Sequence, residues 1–194
     1  MSRPAFPEQP GVALHLTQRA RGGAASFLRE RDRLAYQRAL REAAARCECA
    51  VHAYVVMGNH AHLLVTPARA GSAARLVATL LDRYRGHLAE SYEYDGAQWA
   101  EPVDASSVHA RRHLLSCMRY IEENPVRARI AARPQAYRWS SFRANALGEV
   151  DALVTPHPVY YALGRTPEAR REAYRAMFGP AHAERPAPVS RREG

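Results

Sequence analysis

Two histidines one residue apart, His60 and His62, follow Gly58-Asn59 and open an apolar run that reaches Thr66. A second apolar run leads into Gly58 from Tyr54, so residues 54–66 read as a β-hairpin, and glycine in the first turn position suits a type II′ turn. Side chains alternate along a strand, which puts His60, His62 and Leu64 on one face and Ala61, Leu63 and Val65 on the other. Two neutral imidazoles aimed the same way can grip one divalent cation. They can equally be satisfied or exposed histidines without a ligand, and the pair by itself leaves both readings open. Farther along, Tyr120 and Asn124 stand four residues apart in the helical stretch 110–124, ARRHLLSCMRYIEEN. That spacing sets them on adjacent turns of one side, beside an apolar stripe of Leu114, Cys117, Met118 and Ile121, so both could face a cleft.

The elements that must position these groups follow in chain order. Residues 1–10 hold three prolines and read as an extended lead-in. Residues 11–19 alternate as a first strand, with Val12, Leu14 and Leu16 on one face and Ala13, His15, Thr17 and Arg19 on the other. Residues 26–46 carry apolar residues at helical spacing, among them Phe27, Leu28, Leu34 and Leu40. The hairpin comes next, and then a helix from Ser72, its expected N-cap, to about residue 92, with Leu76, Leu80 and Tyr84 on one stripe. Residues 99–108 suggest a weak strand that Pro102 confines to an edge position. The helix bearing Tyr120 should end at Asn124-Pro125, because the residue before proline is pushed out of the helical region. Residues 134–148 read as a turn-rich connection anchored by Trp139 and Phe142. A last helix spans 168–178, and the Pro- and Arg-rich residues 180–194 are expected to be disordered.

Composition narrows the function. The chain has 194 residues, 47% of them hydrophobic, enough for one domain with an appendix. The net charge is +9 and the pI about 10, with no lysine, so arginine carries all 28 of the Lys+Arg positions. Such a surplus points to nucleic acid, and guanidinium is the better bidentate phosphate binder. No stretch approaches the roughly 20 apolar residues of a membrane span, and the N-terminus lacks the apolar core of a signal peptide, so a cytoplasmic protein is expected. Cys47, Cys49 and Cys117 are too few and too irregular for a disulfide framework or a zinc site.

The run 54–67, YVVMGNHAHLLVTP, followed by 115–130, LSCMRYIEENPVRARI, resembles the single-tyrosine transposases of the HUH nuclease class. More closely it is similar to the tyrosine transposases associated with repetitive extragenic palindromes (REPs). Residues 13–19, 137–148 and 153–164 fit the same pattern, so the resemblance covers roughly residues 10–178. It implies an α+β, ferredoxin-like antiparallel sheet with helices packed on one face, plus a C-terminal helical extension. The implied domains are a catalytic domain over residues 11–150 and an extension over 151–179.

The resemblance also implies chemistry. His60 and His62 would bind Mg²⁺ or Mn²⁺, with Asn124 as the third ligand. Tyr120 would be the catalytic nucleophile, leaving a 5′-phosphotyrosine and a free 3′-OH. Arg19, Arg83, Arg85 and Arg127 are the candidate DNA contacts, and His113 is a further group that could assist the tyrosine. The expected partner is single-stranded DNA carrying a palindromic hairpin, bound by a monomer or homodimer. One departure stands out: Trp99 is followed by Ala100-Glu101-Pro102-Val103-Asp104, where relatives often carry Gly-Arg and further basic residues. That change leaves room for a second reading, a nucleic-acid-binding protein of the same fold without cleavage activity.

Overall fold

A computed structural model describes residues 8–92 and 103–179. Four strands, β1 (Ala13–Arg19), β2 (Cys49–Val56), β3 (His60–Pro67) and β4 (Asp104–Val108), form one sheet in the order β2-β3-β1-β4. Every neighbouring pair is antiparallel. Helices α1 (Glu30–Arg46) and α2 (Ser72–Ser91) connect them in the order β1-α1-β2-β3-α2-β4, the ferredoxin-like arrangement. Three further helices follow: α3 (Arg111–Arg127), α4 (Pro158–Tyr161) and α5 (Pro167–Ala176).

The alternation of β1 and β3 divides the molecule. Leu14, Leu16, Leu63 and Val65 are buried beneath α1 and α2, where Phe27, Tyr36 and Tyr84 pack ring against ring. α1 and α2 thus share one face as expected. α3 is added on the other, resting on β2 and β3 through the buried Leu114, Met118 and Ile121. β4 is the edge strand beside β1, and the Glu101-Pro102 departure lies outside the described residues, as do 1–7 and the 180–194 tail.

Several local expectations are corrected. α1 begins at Glu30 rather than near residue 26, and Leu28 and Leu34 are exposed; Ala35, Tyr36, Ala39, Leu40, Ala43 and Ala44 form its buried face. Gly71, not Ser72, caps α2, with φ at 79°. Gly58 does not have the positive φ that a II′ turn requires. Tertiary contacts hold this turn instead: the Gly58 carbonyl accepts from the Ser26 and Phe27 amides at 3.0 and 3.2 Å, and the Asn59 carbonyl from Ala20 at 2.8 Å. Pro125 sits inside α3 rather than after it. The helix survives because proline removes only one amide, and the turn beyond it is closed by Ala128 to the Asn124 carbonyl and Ile130 to the Pro125 carbonyl, at 2.9 and 2.8 Å.

A buried carboxylate fixes α3 in place. Glu122 is fully buried and accepts from Ser141 Oγ at 2.6 Å, Asn145 Nδ2 at 2.8 Å and the Tyr174 hydroxyl at 2.8 Å. Ser141 and Asn145 also reach β2: Tyr54 N donates to Ser141 Oγ at 2.9 Å, and Asn145 Nδ2 to the His52 carbonyl at 3.0 Å. One carboxylate therefore joins α3 to the outer strand and to α5. The outer edge of β2 is itself covered, with Val56 donating to the Trp139 carbonyl and Thr155 to the Val51 carbonyl at 2.9 and 2.7 Å.

Burial pushes the Glu122 carboxyl from its ordinary 4.5 up to about 7, against the opposing pull of its three donors. A raised carboxyl pKa favours the protonated native state, so the contribution is complete below pH 4.5 and disappears as pH rises through about 7. Glu122→Gln, which keeps the shape, should flatten the fall in unfolding free energy across that window by on the order of 3 kcal/mol in chemical denaturation. An unchanged pH slope would contradict the assignment. Glu122→Leu, which strands three donors, should cost on the order of 3 kcal/mol.

Candidate active site

The β1–β3 register pairs Thr17 with His62 and Arg19 with His60, so all four side chains and His15 rise from the α3 face of the sheet. His62 is 2% exposed. Its Nδ1 lies 3.1 Å from Thr17 Oγ1 and 3.1 Å from His15 Nε2, and the His15 and His62 rings stack at 5.1 Å. With Nδ1 engaged on the sheet side, Nε2 is the nitrogen left to coordinate a ligand. The His60 ring meets His62 edge-on at 5.1 Å, and its Nδ1 contacts Asn59 Oδ1 at 2.7 Å.

α3 delivers the other half. Tyr120 is 38% exposed, and its ring stands 5.7 Å from that of His62 and 6.0 Å from that of His15, edge-on to both. Asn124, one turn on, donates Nδ2 to the Tyr120 carbonyl at 2.9 Å, and its side chain lies close enough to the His60 ring to act on it. The fold thus brings His60, His62, Tyr120 and Asn124 into one cluster. Of the four arginines singled out, two belong to it. Arg19 is close enough for its charge to act on both histidines, and the Arg127 guanidinium lies 5.4 Å over the Tyr120 ring. Arg83 and Arg85 do not: both lie on α2, across the sheet, and Arg83 pairs with Glu42. His113 lies exposed on α3, two turns before Tyr120.

The imidazoles are kept neutral. Burial lowers His62 to about 3, with His15, His60 and Arg19 adding repulsion. Burial also lowers His60, helped by Arg19 and opposed by Asn124, and burial lowers His15. Neutral imidazoles are the ligating form. Among the described residues no group of three His, Cys, Asp or Glu side chains could hold a metal ion. A divalent cation here would rest on two imidazoles and the Asn124 amide, a set that leaves positions for water and substrate oxygens. The residues present fit that demand.

The family model "Transposase IS200 like" matches residues 13–124, more than half of the chain. The chain belongs to the IS200-like transposase family. No curated protein matches it. Among solved structures, a REP-associated tyrosine transposase bound to a REP hairpin is similar over 81% of this chain and 93% of its own, with a TM-score of 0.64 and 14% identity. The tRNA(His) guanylyltransferase of Saccharomyces cerevisiae aligns over 92% of this chain and 82% of its own at a TM-score of 0.46 and 8% identity. The first likeness supports the transposase fold. No helix among the described residues is long and apolar enough to cross a membrane.

Three residues of the site were not singled out from sequence. His15 and Thr17 share the Arg19 face of β1, but only the register with β3 shows that they meet His62. Glu122, two residues past Tyr120, is an acid on an apolar stripe, and that position was the available signal. The burial of His62 has a direct readout: by NMR its imidazole should stay neutral down to pH 5 and titrate near 3. Titration near the ordinary 6.5 would show the cluster to be open to water.

Proposed function

We propose that this IS200-like transposase is a metal-dependent single-stranded DNA endonuclease that cleaves and rejoins hairpin-bearing DNA through a 5′-phosphotyrosine on Tyr120. The observation that carries the reading is the exposed Tyr120 phenol set edge-on to His62, 5.7 Å between ring centroids. The hairpin is suggested by the similar transposase bound to a REP hairpin. A charge of +9 suits a polyanionic substrate.

His60, His62 and Asn124 would hold Mg²⁺ or Mn²⁺. The chemistry such an ion supplies is polarisation and orientation of a phosphoryl group. The remaining work falls to the chain. Arg19 and Arg127 flank the cluster and take phosphate oxygens, restraining the scissile group beside the phenol. The Tyr120 oxygen forms a bond to phosphorus as the phosphorus–3′-oxygen bond breaks, leaving a free 3′-OH and a covalent 5′-phosphotyrosine. The hydroxyl of the partly exposed Tyr120 gives its proton to solvent water, and the departing 3′-oxygen takes a proton from solvent water. In the return step a 3′-OH attacks the phosphotyrosine and releases Tyr120; the phosphodiester is conserved throughout, so rejoining needs no nucleotide cofactor. Thr17 and His15 steady the His62 ring, and the carboxylate of Glu122 steadies the helix that carries the nucleophile.

Incubation with hairpin-bearing single strands and Mn²⁺ should yield a protein–DNA adduct stable to denaturing gel electrophoresis. Tyr120→Phe should abolish it, and His60→Ala or His62→Ala should lower it by about a hundredfold or more, the scale expected when a catalytic group is removed. An adduct that survives Tyr120→Phe, or tight binding of hairpin strands with no adduct on any of them, would refute the mechanism.

A further inference from the structure

The α1 side of the molecule carries a second concave basic surface, away from Tyr120. An open cleft of about 380 Å³ lies between α1 and residues 138–153, next to the outer strand β2. Arg38 and Arg41 line it from α1, and Arg138 and Arg143 line it from the opposite wall. Gln37 Nε2 donates to the Tyr54 hydroxyl at 2.9 Å, so polar groups lie between the arginines, beside the apolar Leu34, Val150 and Leu153.

The charges in this cleft are not balanced. Of its two acids, Asp151 is occupied by the Tyr54 hydroxyl at 2.8 Å and the Leu153 amide at 2.9 Å, and Glu149 pairs with Arg143 at 3.5 Å. Arg138 pairs with Glu30 at 2.7 Å and lies over the Trp139 ring at 4.7 Å. Arg38 and Arg41 are exposed and make no ion pair or hydrogen bond among the described residues. They stand three positions apart on α1, and so on neighbouring turns of one side. Arg38 and Arg41 thus present two uncompensated guanidinium groups on one side of α1, facing a wall whose own arginines are each paired with an acid. The cleft's openness to solvent suits a polymer passing through better than an enclosed small molecule.

We infer that this cleft holds a stretch of DNA phosphodiester backbone on the face of the sheet opposite the tyrosine. The inference rests on the proposed DNA substrate. In the β2–β3 register Tyr54 pairs with Leu63, the neighbour of His62, so cleft and cluster lie at the same level along the strands but on opposite faces. DNA engaging both sites passes round the β2 side of the sheet. Guanidinium matches phosphate bidentately and carries no base preference there, so the cleft adds affinity and orientation rather than sequence choice.

The test compares the full chain carrying Tyr120→Phe with the same chain also carrying Arg38→Ala and Arg41→Ala. Binding is read by fluorescence anisotropy across a salt series, after thermal melting shows that both are folded. The probes are a hairpin oligonucleotide with a single-stranded extension and an unstructured oligonucleotide of equal length. The inference predicts about a tenfold or greater loss of affinity near 0.1 M salt, and a fall of about 1.8 in the slope of log affinity on log salt for duplex contacts, or about 1.4 for single-stranded ones. A loss confined to the hairpin probe assigns the cleft to the stem; a loss on both assigns it to backbone of either form. Unchanged affinity and slope on both probes would overturn it. Because no cleavage is read, failure of Tyr120 to form an adduct and failure of this cleft are separate results.

Discussion

The antiparallel pairing of β1 with β3 is the constraint on which the site depends. Its register sets Arg19 opposite His60 and Thr17 opposite His62, and it brings His15 against His62. A slip of one residue would carry both imidazoles to the α1–α2 side, into a core of Leu14, Leu16, Leu63 and Val65, and would turn those apolar residues toward α3. The hydrophobic cost of that exchange is what specifies the register. The positions of the two imidazoles are therefore enforced by packing on the far side of the sheet, and the nearby Gly58 turn is itself tied down by residues 20–27.

The second half of the site arrives on an independent element, and its placement needs its own device. α3 follows the ferredoxin-like unit and crosses the open face, so nothing in the strand register determines where Tyr120 falls. The buried Leu114, Met118 and Ile121 seat the helix on the sheet, and the carboxylate of Glu122 ties it through Ser141, Asn145 and Tyr174. The C-terminal region thus acts as the brace of the helix that carries Tyr120: Tyr174 comes from α5, and the Tyr160 hydroxyl donates to the Asn145 carbonyl at 2.6 Å. Glu122 and Tyr120 point to opposite sides of one helix, one locked in the interior and the other 38% exposed.

Much of this was legible in the sequence where the signal is local and periodic. The period of two around His60 and His62 and the spacing of four between Tyr120 and Asn124 placed these side chains on the correct sides of their elements. The meeting of the two pairs came through family resemblance, because strand order and the docking of α3 are long-range facts that no local pattern encodes. The arginines show the same limit: Arg19, Arg83, Arg85 and Arg127 look alike in sequence, yet only Arg19 and Arg127 reach the cluster, while Arg83 serves a surface pair with Glu42. Local rules failed where tertiary contacts overrode them, as at Gly58, whose turn is held by neighbouring backbone, and at Pro125, whose missing amide α3 tolerates.

The proposed chemistry requires one divalent cation between the sheet and α3. Anomalous scattering from crystals grown with Mn²⁺ measures this most directly. The expected result is a single strong peak within bonding distance of ring nitrogens on His60 and His62, with the Asn124 amide as a further ligand and the Tyr120 hydroxyl facing the same ion. A peak elsewhere, or none at saturating Mn²⁺ with Tyr120 turned away from the histidines, would contradict it.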